Sequence, residues 1–380
     1  MMHADLLAQM LARPAAPPAL SAVEWEALLG QARRALLITR LARHCQAHGG
    51  LLAVPAGPRQ HLTTAATAGA RVAEGMTIEI ERVSRCLRAA GLRCVLLKGA
   101  AYLRAGLPPA VGRVFSDIDI LVPQADLTRT ENTLMGGGWL AGSQDPYDQR
   151  YYRRWMHELP PLTHVHRGSV IDVHHTITAP TSRFNVEGHR LLAEAQRLPG
   201  EPAVWVLQPV DMVLHSAVHL FQEGEFPHGL RDLLDMNDLL AHFGATEADF
   251  WPRLLDRAVV LGLQVPLHHA LFHLQRLFGT DPPPAQAAAV RALRPVWLPR
   301  VVMARLLTIA LRPMHPSCHS PGEGLARWLL YVRSHWLRMP VYLLVPHLLR
   351  KAWMRRFAKK DEGASTVRPA ADQNVADPAG

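Results

Sequence analysis

The seven residues from Ser116 to Val122 constrain this chain more than any other stretch. Asp117 and Asp119 alternate there with Ile118 and Ile120, and Pro123 closes the run. In an extended strand successive side chains point to opposite faces, so both carboxylates share one face and both isoleucines the other. The isoleucine face needs a core, which makes the segment a strand of a sheet. The carboxylate face needs a cation, because two like charges held that close repel each other.

Two other apolar runs have the same character. Cys94-Val-Leu-Leu97 ends in Lys98-Gly99, which reads as a buried strand followed by a glycine turn. Residues 158–166 and 169–175 read as the arms of a hairpin joined at Arg167-Gly168, with Asp172 at the centre of Val170-Ile-Asp-Val-His174. Elsewhere the period becomes helical. Ser21 and Glu24 have capping-box spacing and open an apolar pattern that runs through Leu36, Leu37 and Leu41 to Gly49-Gly50. Met76, Ile80, Val83 and Leu87 share one helix face, with Gly91 as the stop. Residues 125–135 form a helical stretch before three glycines, and 210–221, 230–243, 250–261 and 265–278 form a second helical series.

The expected fold class is therefore α+β. A small mixed β-sheet core in residues 93–207 is flanked by an N-terminal helical region, 1–92, and a C-terminal helical region, 208–360. Residues 361–380 read as a disordered tail.

Charge narrows the partners. The formal net charge is +9, but eight of the 41 Lys and Arg fall between Tyr331 and Lys360, where there is no Asp or Glu. The remainder nearly balances the 32 acidic residues. A nucleic-acid groove needs distributed Lys and Arg, so nucleic acid is not the expected partner. The basic segment suits peripheral contact with an anionic membrane surface, or a packed final helix with a solvated end. The four cysteines lie far apart with no CxxC spacing, which disfavours a disulfide framework or zinc cluster and fits a reducing cytoplasm. Residues 1–20 lack the pattern of a signal peptide, and no run of about 18 apolar residues suggests a spanning helix.

Hard carboxylate oxygens favour Mg²⁺, and phosphoryl or nucleotidyl transfer commonly uses two such ions about 3.5–4 Å apart. Such a site takes a third carboxylate from a neighbouring strand, and Asp172 is the candidate. His174 lies on the Asp172 face and is expected near an acceptor or a metal-bound water. His215 and His219, four apart on a helix without an HExxH pattern, read as packing residues.

Val95-Leu-Leu-Lys-Gly-Ala-Ala-Tyr-Leu103, Gly112-Arg-Val-Phe-Ser-Asp-Ile-Asp-Ile-Leu-Val122 and Ile171-Asp-Val-His-His175 together resemble the uncharacterised nucleotidyltransferase family of the DNA polymerase β superfamily. Its members are bacterial proteins of about this length. The segment Leu230-Arg-Asp-Leu-Leu-Asp235-Met-Asn-Asp-Leu-Leu240, preceded by His215 and His219, is similar to that family's helical segment, so the resemblance covers roughly residues 20–280. It implies transfer of a nucleoside monophosphate from an NTP to an acceptor, with loss of pyrophosphate. Asp117, Asp119 and Asp172 would hold two Mg²⁺, and Asp172 would act as general base. Lys98, Gly99, Arg113 and Ser116 would contact the nucleotide phosphates, with Arg113 suited equally to a structural ion pair. Asp232 and Asp235 would cap or bridge, or reach into the cleft. One departure stands out: the wider superfamily has Gly-Ser at this turn, about a dozen residues before the Asp pair, whereas Lys98-Gly99 has no serine after it and stands eighteen residues before Asp117. Two other readings remain open from the sequence: a non-catalytic nucleotide-binding partner protein in a biosynthetic cluster, and a toxin-like enzyme that modifies tRNA.

Overall fold

The computed structural model describes residues 5–142, 156–201 and 204–339. Four helices open the chain: α1 (Leu6–Ala12), α2 (Ala22–Arg34), α3 (Ile38–Ala47) and α4 (Ala56–Ala89). The capping box at the start of α2 is formed, with Ser21 N donating to Glu24 Oε2 at 2.8 Å and Glu24 N to Ser21 Oγ at 3.3 Å. Such a cap contributes about 1 kcal/mol. The apolar pattern from Ser21 to Gly49 is two helices and not one, because Leu36 adopts φ 55° and breaks the run. No Gly or Pro marks that break. The Met76–Leu87 stripe belongs to α4, whose 34 residues span about 50 Å at the usual rise. It ends at Gly91 as expected. Gly91 has φ 68°, its N–H bonds Arg88 O and the Leu92 N–H bonds Leu87 O, which is a Schellman closure.

Among the described residues the sheet has seven strands: β1 (Cys94–Leu96), β2 (Asp117–Leu121), β3 (Trp139–Ala141), β4 (Leu162–His164), β5 (Val170–His174), β6 (Gln196–Arg197) and β7 (Val204–Val206), in spatial order β3-β4-β5-β2-β1-β7-β6. The pairs β2·β5 and β1·β7 are parallel and the others antiparallel, so the sheet is mixed. The hairpin at Arg167-Gly168 is present as β4 and β5, with arms shorter than expected. Pro160-Pro161 cannot donate to a ladder and interrupts the first arm. Beyond them the pairing resumes: Leu159 N donates to Val173 O, His175 N donates to His157 O, and Glu158 lies opposite His174.

Helices α5 (Lys98–Arg104), α6 (Leu127–Gly136) and α7 (Gly188–Glu194) lie between strands. The C-terminal series follows as α8 (Pro209–Gln222), α9 (Gly229–Thr246), α10 (Phe250–Val260), α11 (Gln264–Phe278), α12 (Ala287–Ala292), α13 (Trp297–Ala310) and α14 (Glu323–Arg338). The sheet and these helices share one core. Ile118, Ile120, Val95 and Val173 pack in the same cluster as Val213, Leu214 and Phe221 of α8 and Leu233 and Met236 of α9. A second cluster joins α1 to α4 and touches Leu230 and Leu234 of α9. Helix α9 therefore contributes to both cores and holds the N-terminal helices close to the sheet. Among the described residues no helix is long and apolar enough to cross a membrane. Most of the basic segment after Arg338, and the tail, lie outside the described residues.

Candidate active site

Strands β2 and β5 run parallel with Asp119 directly opposite Asp172. Asp117 precedes Asp119 by two residues and shares its face, while Ile118 and Ile120 are 1% and 0% exposed on the other. The three carboxylates bring oxygens within 4.8 Å of one another. Their surroundings differ. Asp119 Oδ1 accepts from His174 Nε2 at 3.0 Å and faces Lys98 Nζ at 3.5 Å. Burial alone would raise the Asp119 carboxyl, but the Lys98 ammonium and the His174 hydrogen bond hold it well below the usual carboxylate range. Asp117 accepts from Ser116 Oγ at 2.8 Å. Asp172 has no such help: its Oδ1 is shielded from solvent and makes no hydrogen bond. Burial, followed by the charges of Asp119, Glu158 and Asp117, pushes the Asp172 carboxyl up to about 7.

Lys98 is placed by backbone conformation. It opens α5 with φ 42°, in the left-handed region that a side chain disfavours. The expected glycine turn is thus a corrected point: the turn falls on Lys98, and Gly99 is the second residue of a helix with an ordinary φ. Glycine is needed at 99 for another reason. A Cβ there would lie 2.9 Å from Arg113 Nε, so the missing side chain lets the Arg113 guanidinium lie against α5.

Arg113 forms an ion pair with Asp235 of α9 and is 11% exposed. The loop that carries it is clamped from the other side. Arg40 Nη1 donates to Pro108 O at 3.1 Å and Val111 O at 2.8 Å, while its other terminal nitrogen pairs with Asp238 of α9. Gly112, at φ 74°, allows the Arg40 backbone to approach. Asp232 pairs with its neighbour Arg231. Asp232 and Asp235 thus serve as ion-pair partners and also reach the cleft wall.

That cleft measures about 320 Å³ and opens beside the carboxylates. One wall is Lys98, Gly99, Asp117 and Asp119, and the loop wall is Arg113 to Ser116. The α8–α9 wall brings Ser216, His219, His228, Arg231, Asp232 and Asp235. Six of the seven expected residues line this cleft, and Asp172, the seventh, meets Asp117 and Asp119 in the trio without lining the cleft itself. Sequence reasoning missed Leu36, Tyr102 and Arg231. Among the described residues two non-glycine positions have positive φ, Leu36 and Lys98, and both line this cleft, a concentration of backbone strain typical of functional sites. Tyr102 is fixed by a 2.7 Å bond between its hydroxyl and Ser216. Arg231 was legible as a neighbour of Asp232, but nothing local in the sequence said which face it would take. His215 is buried as expected, and burial followed by the Lys98 charge holds it neutral.

A carboxylate trio with one fully shielded, unpaired oxygen fits a hard cation, which would relieve the mutual repulsion. The sequence profile of the uncharacterised nucleotidyltransferase family matches residues 21–279, from the α2 cap to the end of α11. The chain belongs to that family. Searches among curated proteins and among solved structures gave no match. The matched span takes in the trio, Lys98, Arg113 and the α9 residues that complete the cleft.

Proposed function

We propose that this protein transfers a nucleoside monophosphate from an NTP to an acceptor hydroxyl, with release of pyrophosphate. The observation that carries the reading is the Asp119–Asp172 register, with Asp117 on the same face at the rim of a cleft that also presents Lys98, Arg113 and Arg231. Magnesium bound by the trio would supply charge neutralisation and Lewis acidity at the phosphates. Asp117, Asp119 and Asp172 are the residues that would hold it. The chain's own groups do the rest. Lys98 and Arg231 offer positive charge to phosphate oxygens, and Arg113 stiffens the loop through Asp235. The acceptor oxygen attacks the α-phosphorus, the bond to the bridging oxygen breaks, and pyrophosphate departs with that electron pair. Asp172, raised by its neighbours, is suited to receive the hydroxyl proton.

The test is label transfer from α-³²P-NTP in cell-extract fractions with Mg²⁺, read on both small molecules and proteins. Asp117→Asn is the informative variant, because among the described residues the side-chain hydrogen bond of Asp117 comes from its neighbour Ser116. Asp119→Ala would strip the partner from Lys98 and His174 and perturb the fold as well. We expect transfer to fall to background in Asp117→Asn with a melting temperature in chelator no lower than that of the wild type. Full transfer by that variant would remove the trio from the mechanism.

A further inference from the structure

Next to the trio lies a second cluster of different chemistry. Glu158 Oε2 stands 3.4 Å from His174 Nδ1 and 3.6 Å from His157 Nε2, and the three residues bring one ligand atom each to within 4.8 Å of one another. The backbone holds them there: Glu158 bridges His174 across the strand pair, and His175 N donates to His157 O. His174 is 2% exposed, and its Nδ1 makes no hydrogen bond although it faces the Glu158 carboxylate. The nitrogen and the carboxylate thus face each other without a formed hydrogen bond, a buried arrangement that a bound cation between them would satisfy.

We propose that His157, Glu158 and His174 form a site for a borderline-soft divalent cation of the zinc class, separate from the hard-oxygen trio. Two imidazoles and one carboxylate are a donor set that zinc accepts and magnesium does not favour. Tetrahedral zinc with bonds of about 2.0–2.2 Å places neighbouring ligand atoms about 3.3–3.6 Å apart, which the two separations from Glu158 match. The second nitrogen of His174 completes the argument. Its Nε2 donates to Asp119 Oδ1 at 3.0 Å, so carboxylate, imidazole and metal stand in line, the arrangement that fixes a ligand histidine's tautomer and orientation. A cation on Nδ1 would lock the proton on Nε2 and thereby fix Asp119. His174 is then a positioning residue that joins two metal sites, and zinc binding stands whether or not the trio transfers nucleotides.

The experiment uses the full chain, stripped with chelator and dialysed against Zn²⁺ or Co²⁺. Metal content is measured by mass spectrometry, and Co²⁺ coordination by visible absorption. We expect one tightly held equivalent, with the intense bands of four-coordinate Co²⁺, in the wild type and in Asp117→Asn. Glu158→Gln and His157→Ala should lose it, with affinity at least a hundredfold weaker, and Asp119→Asn should weaken it about 10–100-fold as an outer-sphere partner. Melting curves of the stripped proteins identify any variant that fails to fold, and Glu158→Gln then carries the test alone. Zinc retained by Glu158→Gln, or lost from Asp117→Asn but kept by His157→Ala, would overturn the proposal, as would wild-type affinity for Zn²⁺ no greater than for Mg²⁺.

Discussion

Replacing Asp172 by Asn should stabilise the metal-free protein while destroying its response to magnesium. The three carboxylates have oxygens within 4.8 Å of one another, and at an effective dielectric constant of about 20 one such pair repels by about 3 kcal/mol. The proton affinity gives a similar figure. Burial and the neighbouring charges push the Asp172 carboxyl to about 7 from 3.8, and at about 1.4 kcal/mol per tenfold change this is about 4 kcal/mol. Asp172 is only partly buried, so water screening reduces the expected effect to about 2 kcal/mol. The sign follows from proton binding. Between pH 3.8 and about 7 the folded state holds the Asp172 proton and the unfolded state does not, so this group's contribution is lost as pH rises through that window and stays lost above it. In chelator, the stability gap in favour of Asp172→Asn should therefore open between about pH 4 and 7 and be constant at pH 8. Saturating Mg²⁺ should reverse the order, because a ligand at a hundred times its Kd adds about 2.7 kcal/mol to the protein that binds it. Denaturant melts with EDTA and with Mg²⁺, at pH 5 and 8, measure all four corners. A variant no more stable than wild type in EDTA at pH 8, or equal Mg²⁺ stabilisation of both proteins, would refute the reasoning.

Three other perturbations test the scaffold and the surface. Asp211 on α8 is fully buried and held by Arg257 through two bonds of 2.8 and 2.9 Å, so Arg257→Ala should cost about 3–5 kcal/mol in a chemical melt. Gly188→Ala would drive a Cβ into the His175 carbonyl oxygen, and should destabilise by more than about 1 kcal/mol and disturb the β5 end on which His174 sits, read by melting and by Co²⁺ absorption. Leu325, Trp328, Leu329, Val332 and Trp336 form an exposed stripe along α14, directly before the basic run to Lys360. The full chain should therefore co-sediment with anionic but not neutral vesicles, and lose this with Leu325→Ser and Trp328→Ser; salt-independent or absent binding would leave the stripe without that role.

The carboxylates were legible because β2 and β5 encode their faces locally. Alternation around Asp117 and Asp119 states the face, and a lone aspartate amid Val170, Ile171 and Val173 states that something must compensate it. Their mutual register was not legible, since β2 and β5 are separated by β3, β4 and their connections and meet only through tertiary pairing. The helical series 210–278 was readable for the same local reason, its apolar period. Local signals failed where the chain changes course without Gly or Pro. Leu36 splits α2 from α3 and Lys98 turns β1 into α5, both at a positive φ that their residue types do not announce. β6 and β7 were not separately visible, because two- and three-residue strands carry too few side chains to show a period. The role of Gly99 was read as backbone access, whereas the space it leaves is taken by Arg113, a neighbour that only the fold reveals.

The charges around the trio also limit how it fills. Asp119 already faces the Lys98 ammonium and the His174 ring, so its charge is largely balanced within the protein. Among the described residues Asp117 and Asp172 have no cation of their own that close, and together they match a single divalent ion. A second ion bound by the same three carboxylates would bring excess positive charge beside Lys98, at an energetic cost that grows as water is excluded. The phosphates of an NTP would supply the missing negative charge. Calorimetry should accordingly find one Mg²⁺ per chain in the absence of nucleotide and two in the presence of a non-hydrolysable NTP analogue, and Lys98→Met should raise the nucleotide-free affinity for Mg²⁺. Two ions bound without nucleotide, or no change in affinity on removing the ammonium, would mean that Lys98 does not balance Asp119.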